Sequence, residues 1–277
     1  GGRDKILLLG LTGIISSTSS QSLLGIGSSI NSVAHIDAAL NTASKDPKVK
    51  AIVLQINTPG GGVTASDEIY ARIKRFKKES NIPVVAALGD IAASGGYYAA
   101  CAADELVMHP TGITGSIGVV LSKYDISELL SKIGVADDGF QAGRMKKLLS
   151  QNRAATPEES AIVQNLIDEM HQRFISVVVS NRTALKKDKI SEITDGRVFS
   201  ATQAIKLGVI DRIGRLDDAI SRAEVLAGVA NAKVVRYSNP GISGDSIHAT
   251  GTGNSANAVV AMPSAAPRLL YLWPAAL

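Results

Sequence analysis

The sequence predicts an α/β protein in which a mostly parallel sheet is flanked by helices. Apolar runs of strand length recur along the chain, at residues 5–11, 51–57 and 83–88. An amphipathic stretch at residues 65–78 separates the second and third runs and has the apolar spacing of a helix. With 45% hydrophobic and 19% charged residues, the composition is that of a globular protein. Strands that alternate with helices form crossover units, which align the strands in parallel.

The remaining elements of the first half follow from local pattern. A Ser- and Gly-rich loop is expected at residues 16–32 and a helix at residues 33–44. The second strand is apolar enough to be covered on both faces. Residues 58–62 (TPGGG) predict a sharp loop. Helical character at residues 101–105 precedes a fourth strand at residues 105–109.

The second half begins with a Gly-punctuated strand at residues 112–121 and a helix at residues 125–133. The longest helix starts at Thr156, whose side chain can cap it, with proline and two glutamates in the first turn, and runs to about residue 180. A strand at residues 195–199 and two helices, at 200–207 and 216–226, precede a last strand at 233–237.

Composition divides the chain into three parts. Residues 1–237 carry the alternating pattern and are expected to form a single domain. Residues 238–262 are rich in Gly, Ser, Thr and Asn, which is typical of a flexible linker. Residues 263–277 form a hydrophobic tail, which is expected to dock on the body of the protein or on a neighbouring subunit.

Several function classes are disfavoured by composition. The net charge of +4 is scattered and aromatic residues make up only 4%, so no nucleic-acid partner is expected. The single cysteine, Cys101, allows no intrachain disulfide and has the apolar neighbours of a buried thiol. The four histidines lack metal-ligand spacing, so neither a metal nor another cofactor is predicted. No apolar run reaches the roughly 20 residues of a membrane helix.

Ser94 is the first candidate for chemistry. It stands in the run AASGGYY at the junction between the third strand and a helix, flanked by small residues that let a substrate approach. Hydrolytic α/β folds hold a nucleophile at such a junction. The alternative is a serine that caps the helix in a tight glycine turn.

A nucleophilic serine needs a base, and the residues leave its identity open. His109 ends a strand without an evident acidic partner, and His171 falls within the longest helix. A lysine can serve if burial lowers its pKa, and Lys146 and Lys147 lie between Gly143 and two leucines. The alternative for both lysines is an ordinary surface charge.

An oxyanion hole needs backbone N–H groups directed at the reacting carbonyl. The Gly-rich loop at residues 60–62 can supply one, and Gly95 can supply another. Glycine suits both places because it lets a peptide come close. A plain turn is the alternative.

Taken together, seven motifs in this order resemble the signal peptide peptidase A family of Ser/Lys peptidases. The resemblance covers residues 5–237 and includes Arg153. The motifs are residues 56–63 (INTPGGGV), 89–98 (GDIAASGGYY), 114–119 (TGSIGV), 143–146 (GRMK), 156–159 (TPEE), 195–199 (DGRVF) and 207–211 (LGVID). The resemblance implies a Clp protease/crotonase-like fold built from repeated β-β-α units, so that residues 1–237 would be a peptidase domain.

The resemblance also implies roles for individual residues. Ser94 matches the nucleophile and Lys146 the general base, whereas Lys147 falls where the family often has an acidic residue. Ser116 matches a serine that hydrogen-bonds the lysine amine and orients it. Gly61 and Gly95 match the oxyanion donors. The chain departs from the family pattern at Gln151, where proline is common.

The function implied is a serine endopeptidase that degrades hydrophobic peptides, such as remnant signal peptides after their release, at or in the membrane. The family implies a homo-oligomeric ring or dome, such as an octamer, in which serine and lysine can come from neighbouring subunits. It also implies a membrane-associated protein with an extracytoplasmic catalytic domain. Because the chain starts at Gly1 without an initiator Met, we expect an N-terminal anchor to be absent from it.

Two further questions stay open in the sequence. The apolar tail, with Leu269-Leu270-Tyr271-Leu272-Trp273, resembles a short signal-peptide core and would occupy the substrate groove or pack on the outer surface. Rival functions are a crotonase-like acyl-CoA enzyme, a catalytically silent scaffold, and a related peptidase that cuts one dedicated membrane or capsid partner.

Overall fold

The computed structural model describes residues 3–18, 31–237 and 270–272. Ten strands and eight α-helices lie in these ranges. The strands are β1 (Lys5–Thr12), β2 (Val49–Thr58), β3 (Gly60–Gly62), β4 (Val84–Ala93), β5 (Glu105–Met108), β6 (Ile113–Gly115), β7 (Val198–Ser200), β8 (Arg212–Ile213), β9 (Lys233–Val235) and β10 (Leu270–Leu272). The helices are α1 (Ser32–Ala43), α2 (Val63–Ser80), α3 (Gly95–Ala100), α4 (Ser127–Lys132), α5 (Pro157–Asn181), α6 (Ile190–Ile193), α7 (Ala201–Leu207) and α8 (Leu216–Ala227).

Eight of the strands form one mixed sheet. Six of them lie in the order β7-β6-β4-β2-β1-β9, and the other two are attached beside β4, where β5 pairs with β4 and β8 pairs with β5. Strand β4 is long enough to pair with β5 along its first half and with β6 along its second half. Its pairings with β2, β5 and β6 are all parallel, and within this sheet only the β6–β7 pair is antiparallel. The predicted α/β class with a mostly parallel sheet is therefore confirmed.

Helices cover both faces of the sheet. Side chains that alternate along the central strands divide between two buried clusters, as expected for strands covered on both sides. One cluster includes Leu7 and Ile52 together with Ile69 of α2. The other packs Leu8 and Val53 against α8. Burial on both faces fixes the register of β2 and β4, whose carboxyl ends carry the candidate site.

The sequence-based element boundaries are wrong in three places. The strand predicted at residues 112–121 ends at Gly115, because the next residue, Ser116, adopts a left-handed backbone with φ 52°. The loop predicted at residues 58–62 contains β3. The helical character expected at residues 101–105 belongs to the preceding residues, which form α3.

Cys101 is buried as predicted, and burial raises the pKa of its thiol to about 12.

The predicted start of the longest helix is confirmed. Thr156 Oγ1 accepts the N–H of Glu159, and the Glu159 carboxylate accepts the N–H of Thr156, so the two residues form a capping box. Pro157 occupies the first turn. Hydrogen bonds from Arg153 and from Thr156 N–H lower the pKa of Glu159 to about 2.

Residues 119–153, which we call the Lys146 arm, protrude from this body. Phe140 is fully exposed, and Tyr124, Leu129, Ile133 and Val135 are each at least half exposed. Ion pairs from Arg144 to Glu158 and from Arg153 to Glu159 join the arm to α5. A hydrogen bond of 2.9 Å from Lys123 Nζ to the Arg153 carbonyl links the two ends of the arm to each other.

The linker predicted at residues 238–262 lies outside the described residues, as do residues 19–30 of the predicted Ser- and Gly-rich loop. Within the described ranges, no helix combines the length and apolar character needed to cross a membrane. The same ranges contain no group of His, Cys, Asp and Glu side chains arranged to hold a metal ion.

Candidate active site

Ser94 occupies a strained turn where β4 passes into α3. Its backbone has φ 52° and ψ −117°, a conformation that costs energy for a residue other than glycine. The turn is held by a hydrogen bond of 2.8 Å from Ser94 N–H to the carbonyl of Gly115. Although Ser94 stands at the N-cap position of α3, its side chain makes no capping hydrogen bond. Helix capping, the alternative left open by the sequence, therefore does not explain this serine.

The hydroxyl of Ser94 has no hydrogen-bond partner within the described part of the chain, although the atom is buried and the residue is only 1% exposed. Buried polar atoms are nearly always paired, and an exception calls for an explanation. Strained backbone and an unsatisfied hydroxyl at one residue are typical of a functional position, since local stability alone favours neither.

Two glycine segments approach each other beside Ser94. A Cβ built on Gly95 would lie 3.2 Å from the Gly61 nitrogen, and a Cβ built on Gly60 would lie 2.8 Å from the Gly95 nitrogen. The same Cβ on Gly95 would also overlap Ser66 Oγ. Only glycine fits at these positions, so the backbone N–H groups of Gly61 and Gly95 lie close together. Because Gly95 is the first residue of α3, its N–H has no acceptor within the helix.

Strand β10, from the apolar tail, lies against this glycine segment. It pairs antiparallel with β3, with Tyr271 opposite Gly61. A Cβ built on Gly60 would overlap the Tyr271 carbonyl oxygen, and one built on Gly95 would lie 3.2 Å from it. The carbonyl of Tyr271 therefore lies next to Gly60 and Gly95, on the tail residue that pairs with Gly61. The sequence left two placements open for the tail, the substrate groove and the outer surface. Residues 270–272 do not pack on the outer surface, because they pair with β3 and Tyr271 is fully buried.

The ring of Tyr271 fills what we call the aromatic pocket, formed by Tyr98, Phe174 and the carbonyl of Met170. Tyr271 is fully buried, and its ring stacks on Tyr98 with 5.1 Å between centroids. The ring of Phe174 lies 4.7 Å away at a tilt of 51°. Tyr271 Oη donates a hydrogen bond of 2.8 Å to the Met170 carbonyl. Burial raises the pKa of the Tyr271 phenol, so the hydroxyl stays protonated.

Strands β4 and β6 bring Ser116 next to Ser94. Ala93 pairs with Gly115, so the two serines follow neighbouring strand ends. The backbone of Ser116 is held by a 2.7 Å hydrogen bond to the Arg197 carbonyl. Ser94, Ser116, Gly61 and Gly95 are thus assembled at one edge of the sheet.

Lys146 is not brought to this group within one chain. It is exposed on the Lys146 arm, and no residue of the described ranges accepts a hydrogen bond from its amine. The neighbouring Lys147 differs, because its amine lies 3.2 Å from Asp137 in an ion pair. Of the two lysines, Lys146 is the one whose amine is uncommitted.

The histidines are engaged elsewhere. His171 Nε2 contacts the carbonyls of Ile117 and Thr194 at 3.2 and 2.8 Å, and His109 Nδ1 lies 2.8 Å from Thr111 Oγ1. Ser94 Oγ has no hydrogen-bond partner among the described residues, so neither imidazole is positioned as its base.

The aromatic pocket is not evident from the sequence. Tyr98 was noted only as part of the motif after Ser94, and Phe174 has the spacing of an ordinary core residue on an amphipathic helix. The hydroxyl of Tyr98 donates to Asp67 at 2.6 Å, and Arg173 holds the same carboxylate at 2.7 Å. The available signal was the pair of adjacent tyrosines, Tyr97 and Tyr98, that follows Ser94 after two glycines.

Comparison with known proteins defines the class. Residues 76–230 match the family model of peptidase family S49, and residues 14–116 match that of Clp protease. A Synechocystis protein named as a protease, slr0021, is 38% identical over 84% of this chain and 78% of its own length. An Enterococcus faecium protein named as signal peptide peptidase SppA is 32% identical over 85% of this chain and 67% of its own.

A solved structure has the same fold. The 1510-N membrane-bound stomatin-specific protease superposes with a TM-score of 0.54 at 18% identity, over 86% of this chain and 99% of that one. The chain therefore has a Clp protease-like fold and belongs to peptidase family S49, the signal peptide peptidase A family. It is a serine-type peptidase, and the resemblance stated from sequence is confirmed.

Proposed function

We propose that this chain is an endopeptidase for hydrophobic peptides, with Ser94 as nucleophile and Lys146 as general base. The observation that carries the proposal is the placement of Tyr271, which pairs with Gly61 and whose carbonyl oxygen lies next to Gly95, the residue that follows the unpartnered Ser94. An extended apolar segment thus occupies the place that a substrate needs.

The chemistry follows from these groups. The neutral amine of Lys146 accepts the proton of Ser94 Oγ as the oxygen attacks the substrate carbonyl carbon. The N–H groups of Gly61 and Gly95 stabilise the resulting oxyanion. The lysine then returns the proton to the leaving amine. Water hydrolyses the acyl-enzyme by the same route in reverse, and Ser116 serves as the positioning residue for the lysine amine.

The preference for extended peptides follows from β3. Its free edge offers backbone groups to a substrate strand, as it does to Leu270–Leu272. Strand addition binds through main-chain hydrogen bonds and leaves selectivity to side-chain pockets. The apolar character of the docked segment and of the aromatic pocket favours hydrophobic peptides, and remnant signal peptides at a membrane are the substrates of this kind that we propose.

In this proposal, Ser94 of one chain is paired with Lys146 of a second copy of the chain. No base contacts Ser94 Oγ among the residues that the structure describes, while Lys146 is exposed on a protruding arm. The same arm exposes Leu129, Ile133 and Phe140, an apolar surface that fits an interface between subunits. In a closed ring or dome, such as an octamer, every subunit would extend its Lys146 arm to one neighbour and receive the arm of the other neighbour.

The substrate class is tested with two fluorogenic peptides of equal length, one apolar and one in which alternate residues are replaced by serine or glutamate. We expect the apolar peptide to be cleaved at least about tenfold more efficiently, because the aromatic pocket and β3 bind extended apolar chains. Ser94→Ala serves as the blank. Preferential cleavage of the polar peptide would contradict the proposed substrate class.

The docked tail is expected to inhibit. Tyr271→Asp places a charge in the aromatic pocket and should release the tail, raising peptide hydrolysis about tenfold because a tethered competitor is removed. The matched variant Tyr271→Phe keeps the stacked ring and should change the rate far less. Steady-state rates on the apolar peptide check this. Equal rates for the parent and Tyr271→Asp would show that the tail does not compete with substrate.

A further inference from the structure

Two fully buried hydroxyl side chains flank the glycine strand β3, one before it and one after it in the sequence. Thr58 ends β2 and Ser66 lies in the first turn of α2, and both are 0% exposed. A buried hydroxyl costs stability unless it is hydrogen-bonded. Valine and alanine would fill these places without that requirement, so the bonds that the two hydroxyls make call for an explanation.

Both hydroxyls bond to the backbone of β3. Thr58 Oγ1 accepts the N–H of Gly60 at 3.0 Å and donates to the carbonyl of Gly13. Ser66 Oγ donates to the carbonyl of Gly62 at 2.9 Å. Thr58 therefore holds the start of β3, and Ser66 holds its end.

The remaining backbone groups of the same two glycines are bonded to Ile15. The Ile15 N–H donates to the Gly60 carbonyl, and the Gly62 N–H donates to the Ile15 carbonyl, both at 2.9 Å. Each N–H and C=O of Gly60 and Gly62 thus has a partner in the body of the protein. The Gly60 carbonyl and the Gly61 N–H belong to one planar peptide group, so these bonds also fix the direction of the Gly61 N–H.

The same two side chains contact the start of α3, which carries the second proposed oxyanion donor. A Cβ built on Gly95 would overlap Ser66 Oγ, and one built on Gly96 would lie 2.6 Å from Thr58 Cγ2. The hydroxyl of Ser66 and the methyl group of Thr58 therefore lie against the backbone of α3. Because each side chain touches both glycine segments, the two together set the distance between these segments.

We infer that Thr58 and Ser66 are positioning residues, which hold the N–H groups of Gly61 and Gly95 at the spacing that an oxyanion requires. The inference rests on the proposed function, since it takes these two N–H groups as the oxyanion hole. Donors that are fixed before the reaction stabilise the transition state without reorganising. A misplacement of about 1 Å can cost about 10²-fold in rate. The two hydroxyls act through the backbone of β3 and α3.

Thr58→Val and Ser66→Ala each remove one hydroxyl from the full-length protein and test the inference. We expect kcat on the apolar fluorogenic peptide to fall about tenfold to 10²-fold in each variant, because the donors lose their fixed spacing. Thr58→Ser keeps the hydroxyl and should lose far less activity than Thr58→Val. Binding of the same peptide in a Ser94→Ala background, measured by calorimetry, should change less than about twofold in either variant, because the uncleaved peptide depends less on the oxyanion donors.

Ser80→Ala is the matched control. Ser80 Oγ donates at 2.7 Å to the carbonyl four residues earlier, as Ser66 Oγ does, but at the other end of α2. Its loss removes a bond of the same kind without touching β3, and kcat should stay unchanged. Full activity of Thr58→Val and Ser66→Ala, or an equal loss of kcat in Ser80→Ala, overturns the inference. If Thr58→Val does not fold, the comparison of Ser66→Ala with Ser80→Ala still decides it.

A peptide aldehyde tests whether the two hydroxyls act on the oxyanion hole. Ser94 Oγ forms a bond to the aldehyde carbon, one electron pair of the C=O bond moves to oxygen, and the serine proton passes to the Lys146 amine. The resulting oxyanion lies where the transition state places its charge. The inhibition constant should therefore rise in Thr58→Val and Ser66→Ala by about the factor by which kcat/KM falls. An unchanged inhibition constant beside a reduced kcat overturns the inference.

Hydrogen exchange separates this inference from the proposed function, because it needs no activity. Mass spectrometry should show amide exchange of β3 and of the first turn of α3 at least about tenfold faster in Thr58→Val and Ser66→Ala than in the parent and Ser80→Ala. Faster exchange without Ser94-dependent cleavage by the parent would sustain the positioning role and overturn the peptidase mechanism. Ser94-dependent cleavage with equal exchange in every variant would do the reverse.

Discussion

Lys146→Ala is expected to reduce kcat for peptide hydrolysis about 10³-fold, because it removes the general base that activates Ser94. Lys147→Ala is the matched control and should retain most of the activity. The two lysines are adjacent in sequence, but only Lys147 is committed to an ion pair, with Asp137. Initial rates on the fluorogenic apolar peptide measure both effects.

Lys146→Arg sharpens this test. Arginine keeps the charge and much of the length, yet it does not give up its proton in proteins and cannot act as a base. It should therefore be as inactive as Lys146→Ala. Appreciable activity in Lys146→Arg, or a larger loss in Lys147→Ala than in Lys146→Ala, would contradict the assignment.

Mixing two inactive variants is expected to restore activity. If Ser94 and Lys146 of one site come from different subunits, half of the sites in an equimolar mixture of Ser94→Ala and Lys146→Ala keep the serine. Half of those receive the lysine, so about one quarter of the parent activity should return. Each variant alone, at the same total concentration, is the control. Native mass spectrometry establishes that mixed oligomers have formed.

The two outcomes of the mixing experiment are well separated. Recovery near one quarter would mean that an active site is shared between subunits. Mixed oligomers that stay inactive would mean that each subunit must carry both residues, and the Lys146 arm would then have to reach Ser94 of its own chain. The unpartnered Ser94 hydroxyl and the exposed Lys146 amine favour the first outcome.

The sheet could be predicted because its central strands are buried on both faces. Such strands appear in sequence as continuous apolar runs, as in β2 and β4. The parallel alignment then brings the ends of these strands to one edge. For this reason Ser94, Gly61 and Gly95 could be expected to meet before any coordinates were known. The strand that contains β6 was predicted to continue beyond Gly115, because the left-handed backbone of Ser116 that ends it cannot be recognised from the pattern of apolar residues in the sequence.

The aromatic pocket could not be predicted in the same way. Tyr98 and Phe174 belong to helices far apart in sequence, and each has the spacing of a core residue. The position at which the tail docks is also absent from local pattern, because strand pairing between Tyr271 and Gly61 depends on a free strand edge created by the fold. The role of Lys146 stays a prediction for a related reason, since its proposed partner lies in another copy of the chain.

The most direct measurement is intact-mass spectrometry after incubation with a serine-reactive fluorophosphonate. It compares the parent chain with Ser94→Ala and Lys146→Ala, with Tyr271→Asp included to free the groove. We expect one adduct on the parent and on Tyr271→Asp, no adduct on Ser94→Ala and a strongly reduced amount on Lys146→Ala. An adduct that persists on Ser94→Ala would assign the nucleophile to another residue. The absence of an adduct on assembled Tyr271→Asp would likewise contradict Ser94 as the nucleophile.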